Sequence, residues 1–161
     1  MELVFYPNDI LRQTTAPVTE FTAELKETLE EMVVIMDRGR GVGLAGPQVG
    51  LALSVFIVRL KEQKPVFFIN PELTSTSHEL SVYEEGCLSI PLVYAEIARP
   101  ASISIQAYNL RGRPFRLDVE DFFARVVQHE LDHLKGVLFT DHLSKPKRER
   151  LLDQYQKLRK M

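Results

Sequence analysis

The sequence predicts a mixed fold in which a run of β-strands is enclosed between helices. Three observations carry that reading. Residues 21–36 repeat apolar side chains at helical period and keep their charges on the other face. Residues 53–119 break into short β-branched and aromatic runs punctuated by Gly, Pro and Asn turns. Near Asp121 the helical period returns, in a stretch that also concentrates histidine and carboxylate.

With 161 residues the chain is expected to form one catalytic-sized domain, residues 1–161, whose core needs neither disulfides nor a structural metal. Its 45% hydrophobic and 26% charged residues place it with soluble globular proteins, and no apolar run could cross a bilayer. The opening Met1-Glu2-Leu3-Val4-Phe5-Tyr6-Pro7 lacks the features of a secretory signal or an organellar transit peptide, so a cytoplasmic protein is expected. Cys87 is the only cysteine, which excludes an internal disulfide and suits a reducing compartment. The net charge of −2 conceals an asymmetry: residues 145–161 carry seven basic side chains against Glu149 and Asp153, a local +5 that leaves −7 for the rest.

Taken in order, Phe21, Leu25, Leu29, Met32, Val33 and Met36 define an amphipathic helix that packs on the core and ends near Gly41. Gly41 to Gly50 then reads as a turn-rich loop whose backbone can approach a ligand closely. It is not a phosphate loop, because the lysine and Ser/Thr are missing and it follows a helix rather than opening one. Gln48 either donates its side-chain amide to a developing oxyanion or simply pins this loop. Strands are expected at Leu53–Leu60 and Pro65–Ile69, with Asn70-Pro71 as a turn, and again at Glu79–Tyr83, Val93–Ala98, Ser102–Tyr108 and Pro114–Val119. Asn109 to Gly112 reads as a hairpin turn. Cys87 falls in an extended segment, Glu84 to Pro91, and is either a small buried hydrophobe or a thiolate ligand.

The most demanding stretch is Gln128-His129-Glu130-Leu131-Asp132-His133. In a helix opened by an Asp121 cap and closed by Gly136, His129 and His133 project from one face and can share a metal ion. Glu130 sits beside that ion, placed to exchange a proton with a water that the metal acidifies. A catalytic site wants a third protein ligand, and Cys87 supplies it with a fourth position left open. The rival readings are a chance helix carrying two histidines, or a metallopeptidase drawing on Asp141 or His142 downstream and leaving Cys87 idle. A last helix follows, with Ser144 as a cap, Pro146 in its first turn, and Leu151, Leu152, Tyr155 and Leu158 on its apolar side.

Three stretches together resemble the peptide deformylase family. Gly41 to Gln48 is similar to its Gly-x-Gly-Leu-Ala-x-x-Gln loop, Glu85 to Ser89 to its Glu-Gly-Cys-Leu-Ser segment, and Gln128 to His133 to its Gln-His-Glu-x-x-Asp-His helix. The resemblance covers nearly the whole chain. It implies an α+β fold with antiparallel β-sheets packed around the central helix that carries His129 and His133, followed by a C-terminal helix over residues 145–161. It also implies hydrolysis of the formyl group from the N-terminal formylmethionine of nascent polypeptides, releasing formate.

By the same resemblance, Cys87, His129 and His133 hold one divalent metal ion, Fe(II) in the cell, replaceable by zinc, nickel or cobalt. Glu130 serves as general base and then acid, while the Gln48 amide and the Leu88 backbone N–H stabilise the oxyanion. N-formylmethionyl peptides would lie as an added strand near Val42, Gly43 and Gly86, with the methionine side chain among Leu88, Val126 and the stem of Arg125. Two positions depart from the family's pattern. Gly46 stands where alanine is usual, which is expected to loosen Gln48, and Tyr94 stands where some members carry a substrate-contacting arginine. A degenerate relative that binds nascent chains without turnover would have lost Gln48, Cys87 or Glu130, and all three are present. The basic C-terminal helix is either a solvated docking helix or a ribosome contact, and no membrane partner is expected.

Overall fold

The computed structural model describes residues 1–161. In chain order they form α1 (Ala23–Arg38), β1 (Gly43–Ala45), β2 (Val55–Val58), β3 (Val66–Thr76), β4 (Leu80–Cys87), β5 (Ile90–Pro100), β6 (Ser102–Tyr108), β7 (Pro114–Glu120), α2 (Asp121–Leu134) and α3 (Lys145–Arg159). Strands β1, β2, β3, β6 and β7 make a five-stranded sheet in that order, and β4 and β5 a separate two-stranded one. All the pairings between strands are antiparallel. The α+β architecture expected from the sequence is therefore what the chain forms.

Alternation along β2 explains the layering. Val55 and Ile57 pack with Leu25, Leu29, Met32 and Met36 of α1 in one cluster, whereas Phe56 and Val58 pack with Val127, Leu131 and Leu134 of α2 in another. A strand has a side-chain period of two, so a sheet covered by a helix on each face needs both sets apolar. All four residues of β2 are accordingly buried. A third cluster joins Ile90, Val93 and Ile97 of β5 to Leu11, Leu138, Phe139 and Tyr155, and so fastens α3 and the N-terminal segment to the smaller sheet. No helix is long and apolar enough to cross a membrane.

Three local expectations change and a fourth holds in position. Asn70-Pro71 is a bulge inside β3 rather than a turn: the register against β6 shifts between Ile69 and Glu72, and Asn70 takes φ +50°. Its side chain accepts from the Val18 N–H at 2.8 Å and donates to the Val18 carbonyl at 2.9 Å, tertiary bonds that a dipeptide pattern does not reveal. The glycine-rich loop contains β1 and a 3-10 turn at Gly46–Val49, and Gly43 to Val49 are buried throughout. The cap of α2 falls at Glu120 and makes no side-chain bond, while Asp121 turns the chain out of β7 at φ +55°. Ser144 occupies the cap position of α3, again without a side-chain bond, and Pro146 lies in the first turn as expected.

Candidate active site

Helix α2 presents His129 and His133 four residues apart, and β4 ends in Cys87 directly opposite. The Cys87 Sγ lies 3.4 Å from His133 Nε2, and the nearest ligand atoms of the three residues all fall within 4.8 Å of one another. These three residues could together hold one ion. His129 Nδ1 meets Glu85 Oε1 at 2.9 Å, which fixes the ring and leaves Nε2 to face the shared point. One half-buried sulfur and two buried imidazoles beside a cavity are a donor set that suits a divalent transition metal. Burial disfavours the charged form of His129, but the hydrogen bond to Glu85 and the neighbouring Cys87 outweigh it and hold its pKa well above the ordinary histidine value. Burial holds His133 well below that value, helped by the charge on His129.

Glu130 is 3% exposed and its Oε1 has no hydrogen-bond partner, so one carboxylate oxygen stands unsatisfied beside the ligand cluster. Burial raises its pKa to about 7, which makes it a proton acceptor poised near neutrality. The glycine at 43 is required here: a Cβ would lie 2.6 Å from Glu130 Oε2 and 2.8 Å from Val126 Cγ1. Gln48 is held from both ends. Its Oε1 accepts the Ala45 N–H at 2.9 Å, and its Nε2 points to Ser89 Oγ at 3.3 Å and Cys87 Sγ at 3.5 Å. Gly46 does not loosen it. That glycine is buried, and a Cβ would meet the Leu51 carbonyl at 2.7 Å and the Leu53 carbonyl at 2.9 Å. Its lack of a side chain lets the 51–53 backbone pack directly against this turn.

Behind Cys87 and the two histidines runs an ionic network that is buried at Glu85, Arg99 and Arg125 and reaches the surface at His142. Glu85 accepts from Arg99 Nε at 2.6 Å and Nη2 at 2.9 Å, and from Arg125 Nη1 at 2.7 Å. Arg99 continues to Asp132 at 2.8 Å, and Asp132 to His142 at 2.8 Å. Burial acts to raise the pKa of Glu85, but hydrogen bonds with His129 and Arg99 overcome it and hold the carboxyl far below the ordinary range. Asp132 is lowered for the same kind of reason, by His142 and Arg99 against burial.

The cluster opens into a cavity of about 580 Å³ between β1 and β4. Each of these is an edge strand with one unpaired side. The lining includes Val42, Gly43, Gln48, Gly86, Cys87, Leu88, Val126, His129 and Glu130, so most residues selected from the sequence converge on one space. Two behave differently. His133 is buried and does not line the cavity, and neither does Arg125, whose guanidinium is spent on Glu85, the Ile97 carbonyl and Ser81. The downstream ligand candidates are occupied elsewhere, Asp141 by Arg12 at 2.5 Å and His142 by Asp132.

The polypeptide deformylase family model matches residues 1–149. The chain belongs to the peptide deformylase family. It is 45% identical over 160 residues to the peptide deformylase of Borreliella burgdorferi, covering 99% of this chain and 97% of the relative. It is 42% identical to that of Afipia carboxidovorans over 99% of this chain and 96% of the relative. Among solved structures it superposes on the peptide deformylase of Synechococcus elongatus in complex with actinonin with a TM-score of 0.92 at 35% identity, covering 95% and 86% of the two chains. The Ehrlichia chaffeensis peptide deformylase gives a TM-score of 0.95 at 28% identity, covering 99% and 97%. As a peptide deformylase family enzyme, this chain is a metal-dependent hydrolase whose reaction removes the formyl group from the formylmethionine of nascent polypeptides.

Sequence reading did not single out Glu85, Arg99, Asp132 or Ser89. Glu85, Ser89 and Asp132 lie inside the quoted motifs, and a carboxylate two residues before the cysteine was a usable sign. Arg99 carried no sign of its own, since only the pairing of β4 with β5 brings it beside Glu85.

Proposed function

We propose that Cys87, His129 and His133 hold one divalent cation, Fe(II) in the cell with zinc, nickel or cobalt as substitutes, and that Glu130 is the acid–base residue of the deformylation. The observation that carries this reading is the convergence of three ligand atoms within 4.8 Å beside a buried carboxylate with an unsatisfied oxygen. A cation bound there supplies Lewis acidity to a water and to the formyl oxygen. Glu130 takes the proton of the attacking water and delivers it to the leaving amine, a cycle suited to a pKa near 7. The Gln48 amide and the Leu88 backbone N–H donate to the formyl oxygen as it gains charge. Glu85 orients His129 through Nδ1, and Arg125 acts by steadying Glu85 rather than by touching substrate.

The formylated peptide pairs as an extended strand between the free edges of β1 and β4, at Val42, Gly43 and Gly86, with the methionine side chain against Leu88 and Val126. The site works in the cytoplasm, where a lone thiol ligand stays reduced. Helix α3 buries Tyr155 and leaves Lys147, Lys157 and Lys160 in solvent, an arrangement that supports a ribosome contact with phosphate groups near the point of nascent-chain exit.

The test is formate release from a formylmethionyl peptide by anaerobically prepared, Fe(II)-loaded protein, beside Glu130→Ala at equal metal loading. Turnover that collapses by roughly 10²–10⁴ in the variant with metal retained supports the assignment. Full metal occupancy without formate, or cleavage of internal peptide bonds, refutes it.

A further inference from the structure

We propose that the outer face of the β4–β5 sheet docks the stretch of polypeptide substrate that follows the residues held in the cavity, and that it favours apolar residues interspersed with a basic one. The inference rests on the formylpeptide reading of the cavity and extends it. Side chains alternate along both strands. Glu85, Val93, Ile97 and Arg99 point inward and are buried, whereas Leu80, Val82, Leu92 and Tyr94 point outward and are 61%, 63%, 62% and 60% exposed. Large apolar side chains left in solvent on both sides of the Glu84–Glu96 pair mark a sheet face that something covers.

Charge and continuity identify the occupant. Glu84 and Glu96 are direct cross-strand partners on this face, and neither lies within ion-pair distance of a cation. Like charges directly opposite weaken a strand pair, so a basic side chain arriving among the apolar ones relieves a repulsion that the chain leaves standing. Glu84, Leu92 and Tyr94 also line the mouth of the cavity. A polypeptide leaving the cavity therefore meets this face first. The run from Glu84 to Leu80 spans about 13 Å of strand, room for roughly four further extended residues.

The experiment uses the full-length, metal-loaded enzyme and three substrates. These are a formylated tripeptide, a formylated nine-residue peptide whose last six residues are leucine, phenylalanine and lysine, and an equally long control ending in serine, glycine and glutamate. The apolar, basic peptide is expected to exceed the tripeptide in kcat/KM by about fivefold, chiefly through KM, with part of the advantage lost in high salt. Leu80→Ser with Val82→Ser, and separately Glu96→Lys, are expected to remove most of that advantage while tripeptide turnover stays unchanged. None of these residues lines the cavity. Equal kcat/KM for all three substrates, or an advantage that survives both variants, overturns the proposal. So does a concentration-dependent dimer in sedimentation that Val82→Ser abolishes, since the face would then serve a second copy. Absence of turnover on every formylated peptide would instead defeat the underlying reading of the cavity.

Discussion

Glu85→Gln tests whether the buried ionic network sets the metal site. The carboxylate is buried and accepts from two guanidinium groups and from the ring nitrogen of His129, at distances between 2.6 and 2.9 Å. Replacing it with a neutral amide of the same volume leaves two buried cations facing one partial charge. Arg99 retains Asp132, and Arg125 retains the Ile97 and Ser81 carbonyls, so the loss is partial. Breaking a buried pair by removing one partner costs about 3–5 kcal/mol, and the remaining contacts place this case near the lower figure. That is a large share of the ~5–15 kcal/mol that holds a domain together. His129 also loses its anionic acceptor, a change that lowers metal affinity by about 10–100-fold. The assay is urea unfolding of the metal-free protein across pH, paired with competitive titration of Co(II) or Ni(II). Because the folded pKa of Glu85 is depressed, its stabilisation is fully present above the ordinary carboxylate value and fades as pH falls through the depressed one. The gap between parent and variant should therefore close in acid. A gap under about 1 kcal/mol at neutral pH, together with unchanged metal affinity, would refute the argument that this network positions His129.

Three further outcomes follow from single contacts. Gly43→Ala is expected to lose about 10²-fold in kcat with little loss of secondary structure by circular dichroism, because its Cβ must displace Glu130 or Val126. Gln48→Ala should lower kcat by about 10²–10³ while metal content measured by atomic absorption stays full, since in the proposed mechanism the amide donates to the reacting oxygen rather than holding the cation. Glu130→Gln should stabilise the metal-free protein. A carboxyl whose folded pKa is raised to about 7 contributes stability that is full below its unfolded value and is lost as pH rises through 7. The variant should gain up to about 3 kcal/mol over the parent in alkaline unfolding experiments, converging with it in acid.

The legible parts of this molecule were those written in local sequence. Helix α1 announced itself because Leu25, Leu29, Met32 and Met36 all face one way, and all are buried. The histidine pair on α2 was equally plain, since four-residue spacing fixes two side chains on one face whatever surrounds the helix. Cys87 was harder to place as a ligand from its neighbours alone and easy once His129 and His133 demanded a third donor. Turn chemistry misled at Asn70-Pro71, where a sequence that ends many strands instead bends one, because Val18 from a distant segment occupies the asparagine amide. Gly46 misled in the opposite sense. A glycine reads as freedom, yet here the space for a side chain is filled by two carbonyls.

The network behind the ligands was invisible for a reason that also explains the fold. From Arg125 to His133, helix α2 buries five polar or ionisable side chains, Arg125, Gln128, His129, Glu130 and His133, a composition that would ordinarily keep a helix at the surface. Each such group costs several kcal/mol unless it is answered. The answers come from β4 and β5: Glu85 for His129 and Arg125, and the Pro100 carbonyl for Gln128. The two-stranded sheet is thus a polar counterface to the central helix, just as the five-stranded sheet is its apolar one. Only Glu130 Oε1 and His133 Nδ1 are left unanswered on that helix, and both belong to residues of the proposed metal site. A helix can bury this polar face because a separate sheet satisfies most of its groups, and that pairing exists only once β4 and β5 have met across their hairpin.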